Sequence, residues 1–397
     1  MFGKQRSDVL VVGAGPTGLL AALHLAENGV KVRVIDKHWR TGAHSYALAL
    51  HPRSLDLLEP LGMVPTLLER GRRVDRVSFW ENGSERGAVS LAQLERKHPF
   101  ALVLPQSVLE GELENRLLEE KVRVQWNHRM ESVREEGDEM IAEISHLDRV
   151  AAGYPIARSE WTVVKTSKAH SRFVVGADGY HSHLRERLGV RFEQTGPLQT
   201  FSVFEFEHSE DAGNELRVLF DGNLASAFWP MPGNRCRWSF QISHPNQHEG
   251  TLARLNEFIK ARAPWFPAVR GEIIWTSMVQ FDRRLATQMG QDRIWLAGDS
   301  VHLTSPVGVQ SMNSGLVDAH ELAWRLKELL TGGRGIDVLM SYEPERMAEL
   351  RPLFKLDGLE PPAGADEWVR RLWTGIVTSM PATGPDLLAL IAQLGKA

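Results

Sequence analysis

Six residues near the start of the chain have the types and spacing to hold a phosphate. Gly13-Ala14-Gly15-Pro16-Thr17-Gly18 reads GxGxxG. It follows a short apolar run, Asp8 to Val12, and opens a stretch of helical character from Leu19 to Asn28 that Gly29 ends. In such a unit the first glycine permits a tight turn. The second lets backbone approach a pyrophosphate, and the third lets the helix pack closely on the strand. The helix N-terminus adds unpaired N–H groups and positive dipole. A second strand, Val30 to Ile35, ends on Asp36, eighteen residues after Gly18, with Lys37 following. An acid about 20 residues on accepts from a ribose 2′-hydroxyl and repels a 2′-phosphate. Alone, the hexapeptide would be only a turn. With strand, helix, strand and acid in place it predicts a dinucleotide site.

Two further segments bear on which dinucleotide. Gly176-Ala177-Asp178-Gly179 follows the apolar strand Arg172 to Val175, and Gly298-Asp299 follows another, Ile294 to Ala297. Then come Ser305-Pro306-Val307-Gly308-Val309-Gln310-Ser311-Met312-Asn313 and the pattern Tyr342 to Arg346. In this order, from residue 8 to about 347, the motifs resemble those of the class A flavoprotein monooxygenases, which have the para-hydroxybenzoate hydroxylase fold. The resemblance implies bound FAD. Asp178-Gly179 looks like the family's DG motif. Asp299 matches the aspartate that binds a ribityl hydroxyl. The loop carrying Pro306, Gly308, Ser311, Met312 and Asn313 looks like the one along the isoalloxazine, with Pro306 near its reactive edge. Gln106, in Leu104-Pro105-Gln106, is similar to a glutamine that contacts FAD.

The implied reaction is a monooxygenation. NAD(P)H, docking transiently since no second GxGxxG exists, reduces FAD; O2 then adds, and a C4a-hydroperoxide delivers one oxygen atom to an aromatic or polyketide-like small molecule. The substrate is expected near Tyr46, Leu48, Trp229 and Pro306, and His44 and Tyr46 are candidates for a base by position only. Two other flavin chemistries stay open: O2-independent reduction of alkene bonds, and halogenation. The halogenases' Trp-x-Trp-x-Ile-Pro motif has only Phe228-Trp229-Pro230-Met231-Pro232 as its nearest match. The chain departs from the family in two places. Tyr46 stands where an arginine often grips the diphosphate, and Val309 and Ser311 stand where glycines are frequent.

The elements that must position these residues suggest an α/β fold. A Rossmann-like FAD-binding domain (1–75, 100–185, 283–345) is expected to interleave with a smaller antiparallel-sheet substrate domain (76–99, 186–282), and C-terminal helices (346–397) to follow. Between Thr200 and Ile242, Phe204 and Phe206 alternate with Glu205 and Glu207, and turns fall at Asp221-Gly222 and Pro232-Gly233. Long helices are expected over Ser107–Glu119 and Asn313–Leu330. Too little chain follows Arg346 for the appended domain of larger phenol hydroxylases. Net charge of −4 leaves no footprint for nucleic acid. Cys236 is the only cysteine, which excludes an intrachain disulfide and a Cys-rich zinc site, and the pairs His181/His183 and His244/His248 show no third or fourth ligand, so no metal is expected. No leader and no run of about 18 apolar residues is present, so a cytoplasmic monomer or homodimer without a membrane span is expected.

Overall fold

A computed structural model describes residues 6–39, 48–152, 158–208, 210–245 and 249–395. Its centre is a parallel sheet in the order Gly290–Gln291, Ile294–Leu296, Phe173–Gly176, Val9–Val12, Val32–Ile35 and Val124–Gln125, with only the edge strand Gly290–Gln291 antiparallel. Val9–Val12 is buried on both faces, which is why it reads as a continuous apolar run. It pairs in parallel with Val32–Ile35 on one side and Phe173–Gly176 on the other. The chain therefore leaves this strand in opposite directions, and a crevice opens at its carboxyl end, where ligands bind in open α/β sheets. The helices Pro16–Glu27 and Gln310–Leu330 pack against one another beside this crevice.

A second sheet of seven strands runs Ile273–Phe281, Gln199–Glu207, Arg235–Ile242, Leu224–Met231, Glu215–Asp221, Arg76–Glu81 and Ser84–Ser90. It is antiparallel except where Glu215–Asp221 meets Arg76–Glu81. The alternation at Phe204 to Glu207 marks two different faces. Phe204, Phe206, Phe228, Trp238 and Phe240 pack with the Leu252–Arg262 helix, whereas Phe201, Val203 and Trp229 join the main core. Both faces are therefore buried, and Glu205 survives inside only by pairing with Arg237. The helix expected from Asn313 begins three residues earlier, at Gln310. The tail folds into the helices Tyr342–Lys355, Glu367–Arg371, Trp373–Ser379 and Gly384–Gln393. Among the described residues no helix is long and apolar enough to cross a membrane.

Candidate active site

Two adjoining clefts of ≈ 250 and ≈ 210 Å³ lie at the carboxyl ends of the parallel strands. Gly15, Ala177 and Gly179 line both. The smaller cleft holds Gly13, Asp36, Lys37 and Asp178 from the sequence reading, with His128 and Arg129 opposite. The larger holds Pro16, Thr17, Gln106, Asp299, Pro306, Ser311 and Met312. Gly15 and Met312, 297 residues apart in sequence, thus line the same cleft.

The three glycines do different work. Gly13 has φ +108, and a Cβ there would sit 2.0 Å from the Ala177 carbonyl oxygen. A Cβ on Gly18 would sit 2.0 Å from the carbonyl oxygen of Gly13. These two close the fold. A Cβ on Gly15 meets nothing within 4 Å, so its absence keeps space open in the crevice.

Asp36 ends its strand with the carboxylate turned back to the turn. It accepts from the Ala14 N–H at 2.7 Å and from the His38 N–H at 2.7 Å and ring Nδ1 at 2.9 Å. Burial pushes its carboxyl upward, but the His38 ring and these two N–H groups outweigh burial and hold it below the usual carboxylate range. An ionised acceptor is thereby fixed at the mouth of the smaller cleft. Asp178 is committed to the fold: it accepts from Ser182 Oγ at 2.5 Å and from the Leu184 N–H at 3.2 Å.

Asp299 is different. It is half-buried, lines the larger cleft and makes no hydrogen bond among the described residues. Burial raises its pKa; His302 opposes this and the neighbouring charge of Asp318 adds to it. A carboxylate held without a partner in a cleft has acceptor capacity to spare for a ligand hydroxyl. Behind it lies a buried knot. Asp318 accepts from the Gly298 N–H (2.9 Å), His302 Nε2 (2.7 Å) and Arg346 Nε (2.8 Å). The carboxylate can only accept, so His302 carries its proton on Nε2. Burial would raise the Asp318 carboxyl, yet His302, Arg346 and the Gly298 N–H together bring it down to about 2. This knot fixes the turn that presents Asp299.

The far end of the larger cleft is apolar: Phe281, Leu303, Pro306, Val309 and Met312 line it. Ser311 and Met312 belong to the first turn of a 21-residue helix, whose leading N–H groups lack intrahelical acceptors. Just before it Val309 takes φ +53, a left-handed conformation that strains a β-branched residue. Packing holds it there. Gln310 Nε2 donates to the carbonyls of Val377 (2.9 Å) and Met380 (3.0 Å), and His51 Nε2 donates to the Gly308 carbonyl at 2.8 Å.

Several expected residues stand elsewhere. Gly308 is pressed against the tail, where a Cβ would come within 2.6 Å of the Met380 carbonyl oxygen, and it lines neither cleft. Asn313 is fully buried and ties the His51 N–H, Ser54 Oγ and the Ala49 and Val309 carbonyls together. Gly18 is buried behind the turn. Leu48 and Trp229 are core residues, 2% and 1% exposed, and line neither cleft, because the sheet face carrying Trp229 packs inward. His44 and Tyr46 lie outside the described residues. Sequence reasoning missed Phe281, His51, Asp318 and Glu110. Glu110 accepts from Gln106 Nε2 at 2.7 Å and is pushed up to about 7, chiefly by burial. The i, i+4 spacing of Gln106 and Glu110 was a usable signal. Asp318 gave none, its partners being 16 and 28 residues away.

The arrangement offers an anionic acceptor at one end, an unpaired carboxylate in the middle and an apolar chamber beside a helix N-terminus at the other. Residues 6–354 match the family described as "FAD binding domain". The chain is 32% identical over 346 residues to 6-methylpretetramide 4-monooxygenase of Streptomyces rimosus, covering 86% of this chain and 59% of that protein. It is 28% identical over 349 residues to pentachlorophenol 4-monooxygenase of Sphingobium chlorophenolicum, covering 85% and 61%. The chain thus spans about three fifths of the length of these relatives. Among solved structures, p-nitrophenol 4-monooxygenase from Pseudomonas putida DLL-E4 superposes with a TM-score of 0.78 at 21% identity, covering 99% of this chain and 93% of that one. A complex of aklavinone-11 hydroxylase with FAD and aklavinone superposes with a TM-score of 0.72 at 24% identity, covering 89% and 68%. At these identities the two superpositions bear on the fold.

Proposed function

Because the chain belongs to the FAD-binding-domain family of flavoproteins, which takes in the class A aromatic hydroxylases, we propose that it is an FAD-dependent monooxygenase that uses NAD(P)H and O2 to insert one oxygen atom into an aromatic or polyketide-like small molecule. The observation that carries this reading is the free Asp299 carboxylate, presented in a crevice that holds the Asp36 acceptor in one cleft and the apolar residues Phe281, Leu303, Pro306 and Met312 in the other. A sugar-hydroxyl acceptor and an apolar wall match the two ends of FAD. Asp36 would accept from the adenosine ribose, and the turn at Gly15 would carry the pyrophosphate on the helix N-terminus. Asp299 would accept from the ribityl chain. Bound flavin supplies electron transfer from the nicotinamide and the activation of O2.

The chain's own residues do the rest. The N–H groups at Ser311 and Met312 would face the pyrimidine edge of the ring, where reduction places negative charge, and a helix N-terminus favours it. Phe281, Leu303, Pro306 and Val309 line the larger cleft and would exclude water from a flavin ring held there. The proposed division gives 76–99 and 186–282 to the substrate side. The names of the relatives favour small-molecule chemistry, and a single cysteine suits a reducing compartment such as the cytoplasm.

The test is NAD(P)H oxidation and O2 uptake by FAD-loaded protein over an aromatic and polyketide library, with product and peroxide both measured. Substrate-stimulated uptake with one atom from labelled O2 in the product is expected. Turnover of a double-bond substrate without O2 would overturn the reading in favour of alkene reduction, and FAD-loaded protein that no library member stimulates would also refute it.

A further inference from the structure

The Gln106–Glu119 helix starts beside the crevice and packs against the Pro16–Glu27 helix. Its first residue, Gln106, lines the larger cleft together with Gly15, Pro16 and Thr17, the turn that would carry the pyrophosphate. One turn further on, Glu110 is only 4% exposed and lines neither cleft. Its Oε1 accepts from Gln106 Nε2 at 2.7 Å, and its Oε2 is buried with no partner among the described residues. Glu110 is thus a buried carboxyl that reaches the cleft through Gln106.

Two negative groups act on Glu110: Asp36, just past the end of the Val32–Ile35 strand, and Glu114 on its own helix, which also accepts from Trp126 Nε1 at 3.1 Å. The titratable groups of the Pro16–Glu27 helix face elsewhere. His24 meets His320, and Glu27 meets Glu120 and Arg116. Burial pushes the Glu110 carboxyl up to about 7; the Gln106 hydrogen bond pulls it down, while Asp36 and Glu114 push it further up. Both protonation states are therefore populated near neutral pH. An ionised carboxylate only accepts, so it holds the Gln106 NH2 toward itself. A neutral carboxyl can donate its O–H to the Gln106 carbonyl, which turns the NH2 outward.

We propose, resting on the reading that FAD occupies this crevice, that Glu110 is a positioning residue: it sets which end of the Gln106 amide faces the cofactor and so couples FAD binding to the uptake of a proton. Protonated Glu110 turns the NH2 toward the phosphates, which only accept. Ionised Glu110 turns the carbonyl there, oxygen against oxygen. Bound FAD and the neutral acid favour one another, so FAD affinity falls as pH rises through about 7, where the free protein loses the proton that the complex keeps.

The test is titration of FAD into FAD-free protein between about pH 6 and about pH 8.5. Fluorescence quenching gives affinity, and calorimetry in buffers of different ionisation enthalpy gives proton uptake. The wild-type Kd is expected to rise about tenfold over this range, with about half a proton or more taken up per FAD near the middle of it. Glu110→Gln, a neutral isostere, should bind throughout as wild type does at the acid end, without uptake. Glu110→Ala leaves Gln106 without this partner and should bind about three- to tenfold more weakly than Glu110→Gln. His38 is the competing source of pH dependence, because its hydrogen bond to Asp36 raises its pKa; His38→Gln should keep the uptake. A wild-type Kd constant with pH, uptake that survives in Glu110→Gln or vanishes in His38→Gln, or equal affinity of the Ala and Gln variants overturns the assignment. The two readings separate without turnover. Protein that binds no FAD at any pH sinks both, whereas FAD bound with no proton uptake sinks the role of Glu110 alone.

Discussion

Gly15→Ala separates the requirements of the ligand from those of the fold. Gly15 has φ −76 and ψ 179, a conformation alanine adopts without strain. An added methyl meets no atom within 4 Å. Replacing glycine at such a site narrows the unfolded ensemble, so the ligand-free protein should gain about 0.4–1 kcal/mol. The same methyl projects into the crevice where the two clefts meet, and holds a phosphate away from the N–H groups of the helix. A charge-assisted hydrogen bond contributes about 1.5–3 kcal/mol, so losing one raises the Kd for FAD roughly 10- to 150-fold. Gly18→Ala is the contrasting control, because its methyl would lie 2.0 Å from a backbone oxygen and must displace the helix from the strand. The assays are quenching of FAD fluorescence for affinity and urea unfolding of the FAD-free protein for stability. Wild-type FAD affinity in Gly15→Ala, or a loss of stability matching that of Gly18→Ala, would refute the reasoning.

Asp299→Asn should weaken FAD binding while leaving the FAD-free protein as stable or more so at neutral pH. The folded state raises this carboxyl's pKa, so its ionised form costs stability as pH rises, and the amide removes that cost; paired FAD titration and unfolding check it, and undiminished affinity would count against the assigned role. Asp318→Asn should lower stability by a few kcal/mol at pH 7, since a carboxyl depressed to about 2 contributes stability above its unfolded value that is lost as pH falls through about 2. The gap between variant and wild type in denaturant midpoints should therefore close between pH 4 and pH 2, and a gap constant with pH would contradict it. Gly308→Ala should cost about 1–3 kcal/mol and weaken FAD binding, because its methyl meets backbone oxygens of Met380 and Thr378 at 2.6 and 2.8 Å and shifts the loop; wild-type values for both would show that the tail does not brace the loop.

Much of the cofactor crevice was legible because its signals are local. A strand, a glycine turn and a helix N-terminus follow from adjacent residues, and the distance to Asp36 is set by the length of one βαβ unit. Gly179, Asp299 and Pro306 were legible as motifs, each at or just beyond a strand end. Packing decided the rest. Spacing cannot tell that Gly13 and Gly18 close the fold while Gly15 leaves room, since that depends on where the Ala177 and Gly13 carbonyls come to lie. Alternation at Phe204 to Glu207 announces a strand but not that helices and core cover both its faces, which is what buries Trp229 away from the clefts. Asp318 holds a glycine and a histidine from one turn and an arginine from the tail, and Gln310 reaches a tail about 70 residues away, as its bonds to Val377 and Met380 record. The sequence by itself determined which dinucleotide crevice the chain builds, because backbone turns and strand ends are short-range objects. Only the tertiary structure decided which side chains stay free in it and what walls stand beside it, because a free carboxylate or an open cavity is defined by neighbours that the chain brings from far away.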